Sequence, residues 1–344
     1  MSLRSIRTMD VALQRVLLRA DLDVPMESGK VGDDSRLKAA LPTINYLLEH
    51  KAEIIIIGHL GRPEGKPVPE LRLAPVVRRL SELGNLTNLV SAGSFLDPAA
   101  KEAINSLTPG RIIIFENIRF YPGEDSNDPK FAAQLASLGQ LYVNDCFSTA
   151  HRSSASLVGV AQLLPSFAGI DLENEVNSLS KLLSHEQPPL GVILGGKKKD
   201  KLEYLPEFIE KADFVLLGSA LAAHLTDAEK NGLGQKVIIG SGEKDLDTDS
   251  QQKFADALKT AKTVIWGGPL GKFEEGFTEG SKAVAEAIIA SGAVSIVGGG
   301  DTLAVLDKLD LTQRMTYASE AGGAMLVFMS GRKLPALAAL GYYD

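Results

Sequence analysis

Residues 16–25, Val-Leu-Leu-Arg-Ala-Asp-Leu-Asp-Val-Pro, combine a short aliphatic run with a charged end that closes on a proline. The run Val16–Arg19 is too short for a helix, and such unbroken aliphatic runs are typical of parallel strands covered on both faces. Similar runs follow at Glu53–Ile57, Arg111–Phe115 and Leu141–Asn144, separated by stretches of helical length and periodicity. This alternation predicts repeated βαβ units around a parallel sheet in the first half of the chain.

The same alternation resumes in the second half. Its aliphatic runs are Leu190–Leu194, Phe214–Leu217, Lys236–Ile239, Thr263–Trp266 and Val294–Val297. With 344 residues, 44% of them hydrophobic, the chain exceeds what one core usually organises. We therefore expect the α/β class, with two Rossmann-like three-layer αβα domains whose parallel sheets are joined by a linking helix.

The boundary between the two sheets is expected near a proline. Leu163-Leu164-Pro165-Ser166 precedes a strongly periodic stretch from Leu172 to Leu183, which ends in the loop 185–189. A proline followed by such a stretch is typical of a helix start. The predicted division is an N-terminal domain over 1–163, a linking helix and hinge over 164–185, a C-terminal domain over 186–330, and a tail over 331–344 that packs back on the N-terminal domain.

Charge and cysteine content limit the function classes. Lys and Arg number 36 against 43 Asp and Glu, so the net charge of −7 argues against a nucleic-acid binder and any anion site needs local clustering. The single Cys146 excludes an internal disulfide and suits a reducing cytosol. Runs such as Ile54–Ile57 are too short to cross a bilayer. We expect a cytoplasmic protein without nucleic-acid or membrane partners.

Basic residues follow the predicted strands of the first half. They are Arg19, Arg36, His59, Arg62, Arg119 and Arg152. Ligands of open α/β sheets bind beyond the carboxyl ends of the strands. Guanidinium groups offer paired donors to carboxylate and phosphate, so several converging there would hold a small doubly anionic ligand such as a phosphorylated carboxylic acid.

Glycine-rich turns follow the predicted strands of the second half. They occupy residues 195–201, 266–274, 298–302 and 319–324, and the first of them carries a run of lysines. Glycines at strand-to-helix turns let backbone amides approach phosphate oxygens, and lysines neutralise the charge. Asp301 could hold Mg²⁺ that bridges nucleotide phosphates. The chain has no Walker A pattern, no protein-kinase His-Arg-Asp loop and no Gly-x-Gly-x-x-Gly fingerprint.

These motifs, taken in order from Arg19 to the closing segment Leu334–Leu340, resemble phosphoglycerate kinase. The matching motifs are Arg-Ala-Asp-Leu-Asp-Val-Pro, Asp-Asp-Ser-Arg, His-Leu-Gly-Arg-Pro, Glu-Asn-Ile-Arg-Phe-Tyr-Pro-Gly-Glu, Asn-Asp-Cys-Phe-Ser-Thr-Ala-His-Arg and Gly-Gly-Gly-Asp-Thr. The resemblance implies reversible phosphoryl transfer between 1,3-bisphosphoglycerate and ADP, giving 3-phosphoglycerate and ATP. It also implies a monomer that uses Mg²⁺ and closes about the linking helix.

The resemblance assigns expected roles to individual residues. The substrate-binding set is Asp21, Asp23, Arg36, His59, Leu60, Gly61, Arg62, Arg119 and Arg152. The nucleotide-binding set is Lys198, Lys201, Glu274, Gly299, Gly300, Asp301 and Thr302, with Asp301 as the metal ligand. The expected catalytic set is Arg36, Lys198, Gly300 and Gly322, which would stabilise the transferring phosphoryl group through charge and helix-end amides.

Several matched positions depart from the family pattern. Asp23 stands for Asn, Ser154 for His, Gly267 for Asn, and Glu320-Ala321 for Thr-Gly. Asp23 adds a carboxylate beside an anionic substrate and should weaken binding unless that carboxylate is paired or protonated.

The nucleotide half departs in length as well. The lysine loop is one residue shorter than in the family, so that Lys197, Lys198 and Lys199 compete for one role. Gly218-Ser219-Ala220-Leu221 replaces a Gly-Gly-Gly-Met turn, and the stretch 221–260 lacks several tens of residues that usually complete the adenine side. Two other functions remain open on the sequence: a non-catalytic phosphoglycerate-binding sensor or scaffold, and a dehydrogenase-like dinucleotide binder, which rests on the parallel-sheet analogy alone.

Overall fold

The computed structural model describes residues 2–344; Met1, the first position of the predicted N-terminal domain, lies outside the described residues. The described chain forms two compact units. Unit 1 contains the described part of residues 1–177 and Lys333–Asp344, and unit 2 contains Ser178–Arg332. The domain boundaries and domain functions that were predicted from the sequence remain predictions.

Unit 1 is built on a six-stranded parallel sheet. Its strands are β1 (Arg15–Ala20), β4 (Glu53–Ile57), β5 (Leu89–Ala92), β6 (Ile112–Phe115), β7 (Leu141–Asp145) and β8 (Ser166–Ala168). They lie in the order β5-β6-β4-β1-β7-β8. A two-stranded antiparallel hairpin of β2 (Met26–Glu27) and β3 (Lys30–Val31) stands apart from this sheet. The central strands are buried along most of their length, as expected for a sheet with helices on both faces.

Most helices of unit 1 bury apolar residues on one face. They are α1 (Ser35–Glu49), α2 (Ala74–Gly84), α3 (Pro98–Asn105), α4 (Pro122–Asp125), α5 (Pro129–Ala136) and α14 (Pro335–Ala339). In α2 the buried residues Val76, Val77 and Leu80 recur at helical spacing and join the core around Ile54 and Ile56. Helix α6 (Ile170–Ser184) contains the point at which the chain passes from unit 1 to unit 2.

Unit 2 repeats this architecture with a second six-stranded parallel sheet. Its strands are β9 (Leu190–Leu194), β10 (Phe214–Leu217), β11 (Val237–Ile239), β12 (Thr263–Gly267), β13 (Val294–Gly298) and β14 (Tyr317–Ser319), in the order β11-β10-β9-β12-β13-β14. Its helices are α7 (Leu205–Lys211), α8 (Ser219–Ala222), α9 (Asp227–Gly232), α10 (Thr248–Leu258), α11 (Glu279–Ser291), α12 (Gly300–Lys308) and α13 (Gly322–Met329). Trp266 is fully buried in its core. The predicted fold class, two parallel-sheet α/β domains, is confirmed.

The sheet order places a switch point in each unit. In unit 1 the chain leaves β1 toward β4 and later returns to its other side as β7, and in unit 2 it leaves β9 toward β10 and returns as β12. The loops that leave the carboxyl ends of two such neighbouring strands diverge and open a crevice, which is where open α/β sheets bind ligands. The topology therefore predicts that ligands bind at the loops after β1 and β7 in unit 1 and at the loops after β9 and β12 in unit 2.

Three short strands and one helix start differ from the sequence prediction. The strands β5, β8 and β14 lie at or beside sheet edges, where half-exposed or polar residues replace the aliphatic run that marks a central strand. Because Ser166–Ala168 pairs with β7, the helix after Pro165 begins only at Ile170. Among residues 2–344, no helix combines the length and the apolar character that a membrane span requires.

Candidate active site

His59 lies at the centre of the predicted substrate residues of unit 1. Its ring is fully buried after β4, and its Nδ1 lies 2.8 Å from Arg19 Nη2 on β1. Burial lowers the pKa of His59 to about 4, and the charges of Arg19 and Arg119 act in the same direction. The ring is therefore neutral at pH 7.

Asp23 is paired in this structure. Its Oδ1 accepts a hydrogen bond from the Gly61 amide at 2.7 Å, and its Oδ2 lies 3.5 Å from His59 Nε2. Burial alone would raise the pKa of Asp23, but the polar contact with His59 Nε2, the hydrogen bond from the Gly61 amide and the charge of Arg36 hold it well below its usual range. The residue that departs from the family pattern is thus an ionised carboxylate with its own partners.

Arg36 extends from the first turn of α1 toward the loop after β1. Its Nη1 donates to the backbone carbonyl of Asp23 at 2.8 Å and lies 3.6 Å from Asp21 Oδ1. The side chain is only 18% exposed, so its charge acts in a medium of lower dielectric than water. The predicted residues Asp21, Asp23 and Arg36 therefore form one ion-paired group.

Of the three other predicted arginines, Arg119 has a carboxylate partner, since its Nε lies 3.4 Å from Asp125 Oδ1, whereas Arg62 and Arg152 have none in the part of the chain that the structure describes. Arg119 Nη1 donates to the carbonyl oxygen of Gly61 at 2.9 Å, and burial together with the nearby Arg152 lowers its pKa. Arg62 and Arg152 make no ion pair with any of residues 2–344, and Arg152 Nε is buried without a hydrogen-bond partner. Guanidinium groups that repel one another in this way provide a site for an anion.

The loops that carry these side chains are tied together by a residue that the sequence analysis missed. Asn117 is fully buried; its Oδ1 accepts from the Arg119 amide, and its Nδ2 donates to the carbonyl oxygens of Leu60 and Leu71 at 2.7 and 2.9 Å. Gly61 has a φ of +63°, and a Cβ there would lie 2.7 Å from Leu71. The turn therefore requires glycine at position 61.

Two more unpredicted residues, Glu124 and Ser156, lie behind Arg19. Ser156 Oγ accepts from Arg19 Nε at 3.0 Å and donates to Glu124 Oε1 at 2.6 Å. Ser154, which stands where the family has His, is buried, and its backbone carbonyl accepts from the amides of Leu157 and Val158. Composition alone gave no signal for these residues, because serine and glutamate are common on surfaces.

In unit 2 the predicted nucleotide residues separate into two groups. A cavity of about 210 Å³ brings together Lys198, Glu274 and Asp301. Its lining is Gly196, Lys197, Lys198, Ser219, Ala220, Glu243, Lys244, Pro269, Leu270, Gly271, Lys272, Glu274 and Asp301. Lys201, Gly299, Gly300 and Thr302 do not line it. Lys244 and Lys272 are basic residues of this cavity that the sequence analysis did not select.

Lys201 is used inside the fold. Its Nζ donates to the carbonyl oxygens of Gly195 at 2.7 Å and Gly267 at 3.2 Å, which joins the ends of the neighbouring strands β9 and β12. Burial lowers the pKa of Lys201 to about 8. The structure therefore places Lys201 beneath the glycine turns, whereas Lys198 is exposed at the cavity.

Thr302 also supports a turn. Its Oγ1 accepts from the Gly268 amide and donates to the Gly298 carbonyl, both at 2.8 Å. Helices α12 and α13 begin at Gly300 and Gly322, and a Cβ on Gly322 would lie 2.6 Å from Gly299 Cα. The close approach of glycine backbones brings the two helix N-termini side by side, where their amides favour an anion.

Two family departures in unit 2 have local explanations. A Cβ on Gly267 would lie 2.7 Å from Leu326 Cδ1, so that a side chain at this position needs Leu326 to move. Glu320 is half-buried directly before Ala321, the N-cap of α13. A carboxylate at that position interacts favourably with the helix dipole.

The comparison with known proteins decides the family. A model of phosphoglycerate kinase matches residues 6–246 and 240–332. The phosphoglycerate kinase of Pelotomaculum thermopropionicum is 37% identical over 391 aligned positions, and that of Chloroflexus aggregans is 38% identical over 396; each alignment covers 99% of both chains.

The chain belongs to the phosphoglycerate kinase family.

Solved structures of the family agree with this assignment. The phosphoglycerate kinase from Coxiella burnetii has a TM-score of 0.79 at 34% identity, with 99% of each chain covered. The enzyme from Pyrococcus horikoshii has a TM-score of 0.82 at 29% identity, with 98% of each chain covered. The protein is thus a kinase, a phosphotransferase enzyme, and the alternative of a non-catalytic sensor or scaffold is not favoured.

The family match also locates a difference in length. The aligned positions outnumber the 344 residues of this chain, so the relatives carry segments that it lacks. The two matched pieces meet at residues 240–246, which lie inside the stretch 221–260 that the sequence analysis identified as short. The shortened region supplies Glu243 and Lys244 to the cavity of unit 2.

Proposed function

We propose that this phosphoglycerate kinase transfers a phosphoryl group reversibly between 1,3-bisphosphoglycerate and ADP, giving 3-phosphoglycerate and ATP, through the residues at the two switch points. The observation that carries the residue assignment is the group of arginines at this end of the sheet: Arg19 and Arg119 act on the neutral His59, Arg152 lies near Arg119, and Arg62 and Arg152 have no ion pair among the described residues. A doubly charged phosphate ester supplies the charge that this group of side chains lacks.

In this proposal the two ends of the acid substrate meet different side chains. Arg62, Arg119 and Arg152 bind the phosphate ester, while Arg36 binds the carboxylate or acyl phosphate. The ionised Asp23 repels a carboxylate and accepts a hydrogen bond from the substrate hydroxyl. Leu60 and Gly61 position His59 and offer backbone groups beside it.

The nucleotide is assigned to the cavity of unit 2. Lys198 neutralises its phosphates, Glu274 accepts from its sugar hydroxyls, and the helix N-termini at Gly300 and Gly322 stabilise the transferring phosphoryl group. Lys201, Gly299 and Thr302 support these groups from below, because their polar atoms or backbone already hold the turns.

Asp301 is the proposed Mg²⁺ ligand. It is exposed at the cavity in the first turn of α12, and residues 2–344 contain no group of three or more His, Cys, Asp or Glu side chains suited to a metal. One carboxylate fits Mg²⁺, which is usually held by one or two carboxylates together with substrate phosphates and water. When bound, the ion would neutralise charge on the nucleotide phosphates.

A coupled assay of ADP- and ATP-dependent turnover tests the proposal. Arg36→Ala and Lys198→Ala should each lower kcat by about 100-fold or more, because a lost charge on the transferring group is worth several kcal/mol. Arg111→Ala and Lys262→Ala are matched controls, since both residues are exposed at the amino ends of β6 and β12, opposite to the proposed sites. Full activity of Arg36→Ala would contradict the assignment.

The metal assignment has its own pair of variants. Asp301→Asn should raise the Mg²⁺ concentration for half-maximal activity about tenfold, because a coordinating carboxylate becomes a neutral amide. Asp307→Asn, exposed on the same helix α12, should not change it. Equal Mg²⁺ requirements of the two variants would remove Asp301 from the site.

Separate and joint titrations with 3-phosphoglycerate and MgADP test the domain closure that the family resemblance implies. Positive coupling between the two ligands is expected, since each should favour the closed form. Cytoplasmic location and a monomeric state also belong to this proposal; the single buried Cys146 supports the first, and light scattering on the purified enzyme tests the second.

A further inference from the structure

Arg19 uses all three of its guanidinium nitrogens inside the protein. Nε donates to Ser156 Oγ at 3.0 Å, Nη1 to the carbonyl oxygen of Ala20 at 2.6 Å, and Nη2 to His59 Nδ1 at 2.8 Å. The side chain is 1% exposed. Arg19 is therefore held too deeply to bind a ligand from solvent, in contrast to Arg62 and Arg152.

Glu124 is the carboxylate that is linked to Arg19 by hydrogen bonds, with Ser156 between them. Ser156 donates its hydroxyl hydrogen to Glu124 Oε1 at 2.6 Å and its amide hydrogen to Oε2 at 3.0 Å. A hydroxyl has one hydrogen, so Ser156 Oγ must use a lone pair toward Arg19 Nε. Glu124 and Ser156 are as deeply buried as Arg19. The donor and the acceptor of each hydrogen bond that links Glu124 through Ser156 to Arg19 are thereby determined.

The direction of these bonds decides where the proton of the neutral His59 ring lies. A guanidinium group can only donate, so Nδ1 of His59 must accept from Arg19 Nη2 and cannot carry hydrogen. The ring proton is then on Nε2, which is buried, has no hydrogen bond within 3.5 Å, and faces Asp23 Oδ2 at 3.5 Å. The alternative tautomer would place two N–H groups against each other at 2.8 Å.

We infer that Glu124, Ser156 and Arg19 are positioning residues that hold His59 as its Nε2–H tautomer, so that the buried ring presents one fixed N–H donor to Asp23, the carboxylate that accepts from the hydroxyl of the bound acid substrate. The inference about substrate rests on the proposed function, which places the acid at His59. The tautomer itself belongs to the ligand-free enzyme and does not depend on that assignment. A fixed donor raises affinity because no reorganisation is needed on binding.

Nitrogen-15 NMR on the ligand-free, histidine-labelled enzyme near pH 7 tests the tautomer directly. His59→Gln identifies the His59 signals among those of the five histidines. We expect an unprotonated Nδ1 and a protonated Nε2 in slow exchange with solvent. A protonated Nδ1, or averaged shifts of the two nitrogens, would overturn the inference even if the enzyme turns over normally.

Variants test whether the chain of hydrogen bonds causes the tautomer. Arg19→Met removes the donor to Nδ1, and Glu124→Gln removes the countercharge at nearly constant volume. Arg19→Met should give mixed tautomers and raise KM for 3-phosphoglycerate about tenfold, the size of one lost hydrogen bond to a polar partner, while KM for ADP changes by less than about twofold. In Glu124→Gln the guanidinium of Arg19 can still only donate to Nδ1, so we expect an unchanged tautomer and a smaller rise in KM for 3-phosphoglycerate. Unchanged tautomer signals in a folded Arg19→Met enzyme would also overturn the inference.

Tyr142→Phe is the matched control. Tyr142 on β7 donates its hydroxyl to the backbone carbonyl of Ser156, so this variant loses a buried hydrogen bond at the same serine without interrupting the chain from Glu124 to His59. We expect lower stability with an unchanged tautomer and an unchanged KM. If Arg19→Met and Glu124→Gln do not fold, the wild-type NMR measurement still decides the inference. If 3-phosphoglycerate fails to bind while the tautomer is fixed, only the proposed substrate site is refuted.

Discussion

Lys201 Nζ lies 2.7 Å from the carbonyl oxygen of Gly195, so a side chain that follows strand β9 turns back onto the end of the same strand. Its second acceptor, Gly267 at 3.2 Å, belongs to β12 on the other side of the switch point of unit 2. The lysine therefore joins two glycine turns at their bases. We regard it as the support of the nucleotide loops rather than as a phosphate ligand.

Replacing Lys201 should affect stability and nucleotide binding together. Lys201→Met keeps most of the side-chain volume but removes the Lys201 donor from the Gly195 carbonyl and one of two donors from the Gly267 carbonyl, which also accepts from the Gly195 amide at 2.9 Å. This should lower the free energy of unfolding by about 1–3 kcal/mol. KM for ADP should rise while KM for 3-phosphoglycerate stays constant. Urea denaturation and steady-state kinetics measure both effects. Lys199→Met, an exposed neighbour in the same loop, is the stability control; equal stability of the two variants would contradict the supporting role.

His59 should make stability depend on pH. Because its pKa is about 4 in the folded state and near 6.5 unfolded, the unfolded chain binds the extra proton between these values. The contribution of the neutral His59 to the free energy of unfolding is fully present above pH 6.5. It is lost as the pH falls to about 4, by an amount on the order of 2–3 kcal/mol. The wild type should therefore lose more stability than His59→Gln over this interval, as followed by urea unfolding at each pH.

The comparison with His59→Gln is needed because Asp145 has the opposite effect in an overlapping interval. Burial raises the pKa of Asp145 to about 6, and its Oδ1 accepts from the amides of Asp171 and Leu172 at the start of α6. This carboxyl stays protonated to a higher pH in the folded state than in the unfolded state. Its contribution to the free energy of unfolding therefore falls as the pH rises from about 4 to 6. Parallel pH curves for the wild type and His59→Gln would contradict the neutral, buried state of His59.

Asp23→Asn restores the family residue and should strengthen substrate binding. It removes one negative charge 3.9 Å from Arg36 and leaves an amide oxygen for the Gly61 amide. We expect KM for 3-phosphoglycerate to fall about three- to tenfold at low salt, with a smaller effect at high salt because the charge is partly exposed. Asp33→Asn, an exposed carboxylate before α1, controls for net charge. A higher KM in Asp23→Asn would contradict this prediction and show that the hydrogen bond from the substrate hydroxyl to the carboxylate outweighs the repulsion between Asp23 and the substrate carboxylate.

Gly267→Ala tests why this chain lacks the family asparagine. The new Cβ would lie 2.7 Å from Leu326, so the variant should be destabilised by about 1–3 kcal/mol through overpacking. Leu326→Ala is destabilising alone through cavity formation, but the double variant should lose less than the sum. Thermal denaturation of the full cycle measures the coupling. Gly232→Ala is the control, since no atom would lie within 4 Å of its Cβ. Additive effects in the cycle would mean that the two positions do not compete for space.

The central strands and the family could be predicted because their signals are local. Glu53–Ile57, Leu190–Leu194 and Phe214–Leu217 have the predicted bounds, since unbroken aliphatic runs can satisfy their burial only inside a sheet. The edge strand Leu89–Ala92 was not predicted, because its residues are half-exposed or exposed and do not form an aliphatic run. The site motifs are local in the same sense, since each is a short stretch directly after a strand. The basic strand ends therefore predicted a phosphorylated acid as ligand, and the glycine turns predicted a nucleotide.

The states of the site residues could not be predicted, because they depend on partners far away in the chain. Asp23 is ionised and paired only because the backbone places Gly61 and His59 beside it, 36 to 38 residues further on. Nor does a sequence motif show that Lys201 faces two carbonyl groups, or that Arg19 has its countercharge at Glu124 through Ser156. Residue types and their order were enough to indicate the chemistry of this kinase, whereas charge state, tautomer and orientation arise from burial and hydrogen bonding between segments that meet only after folding.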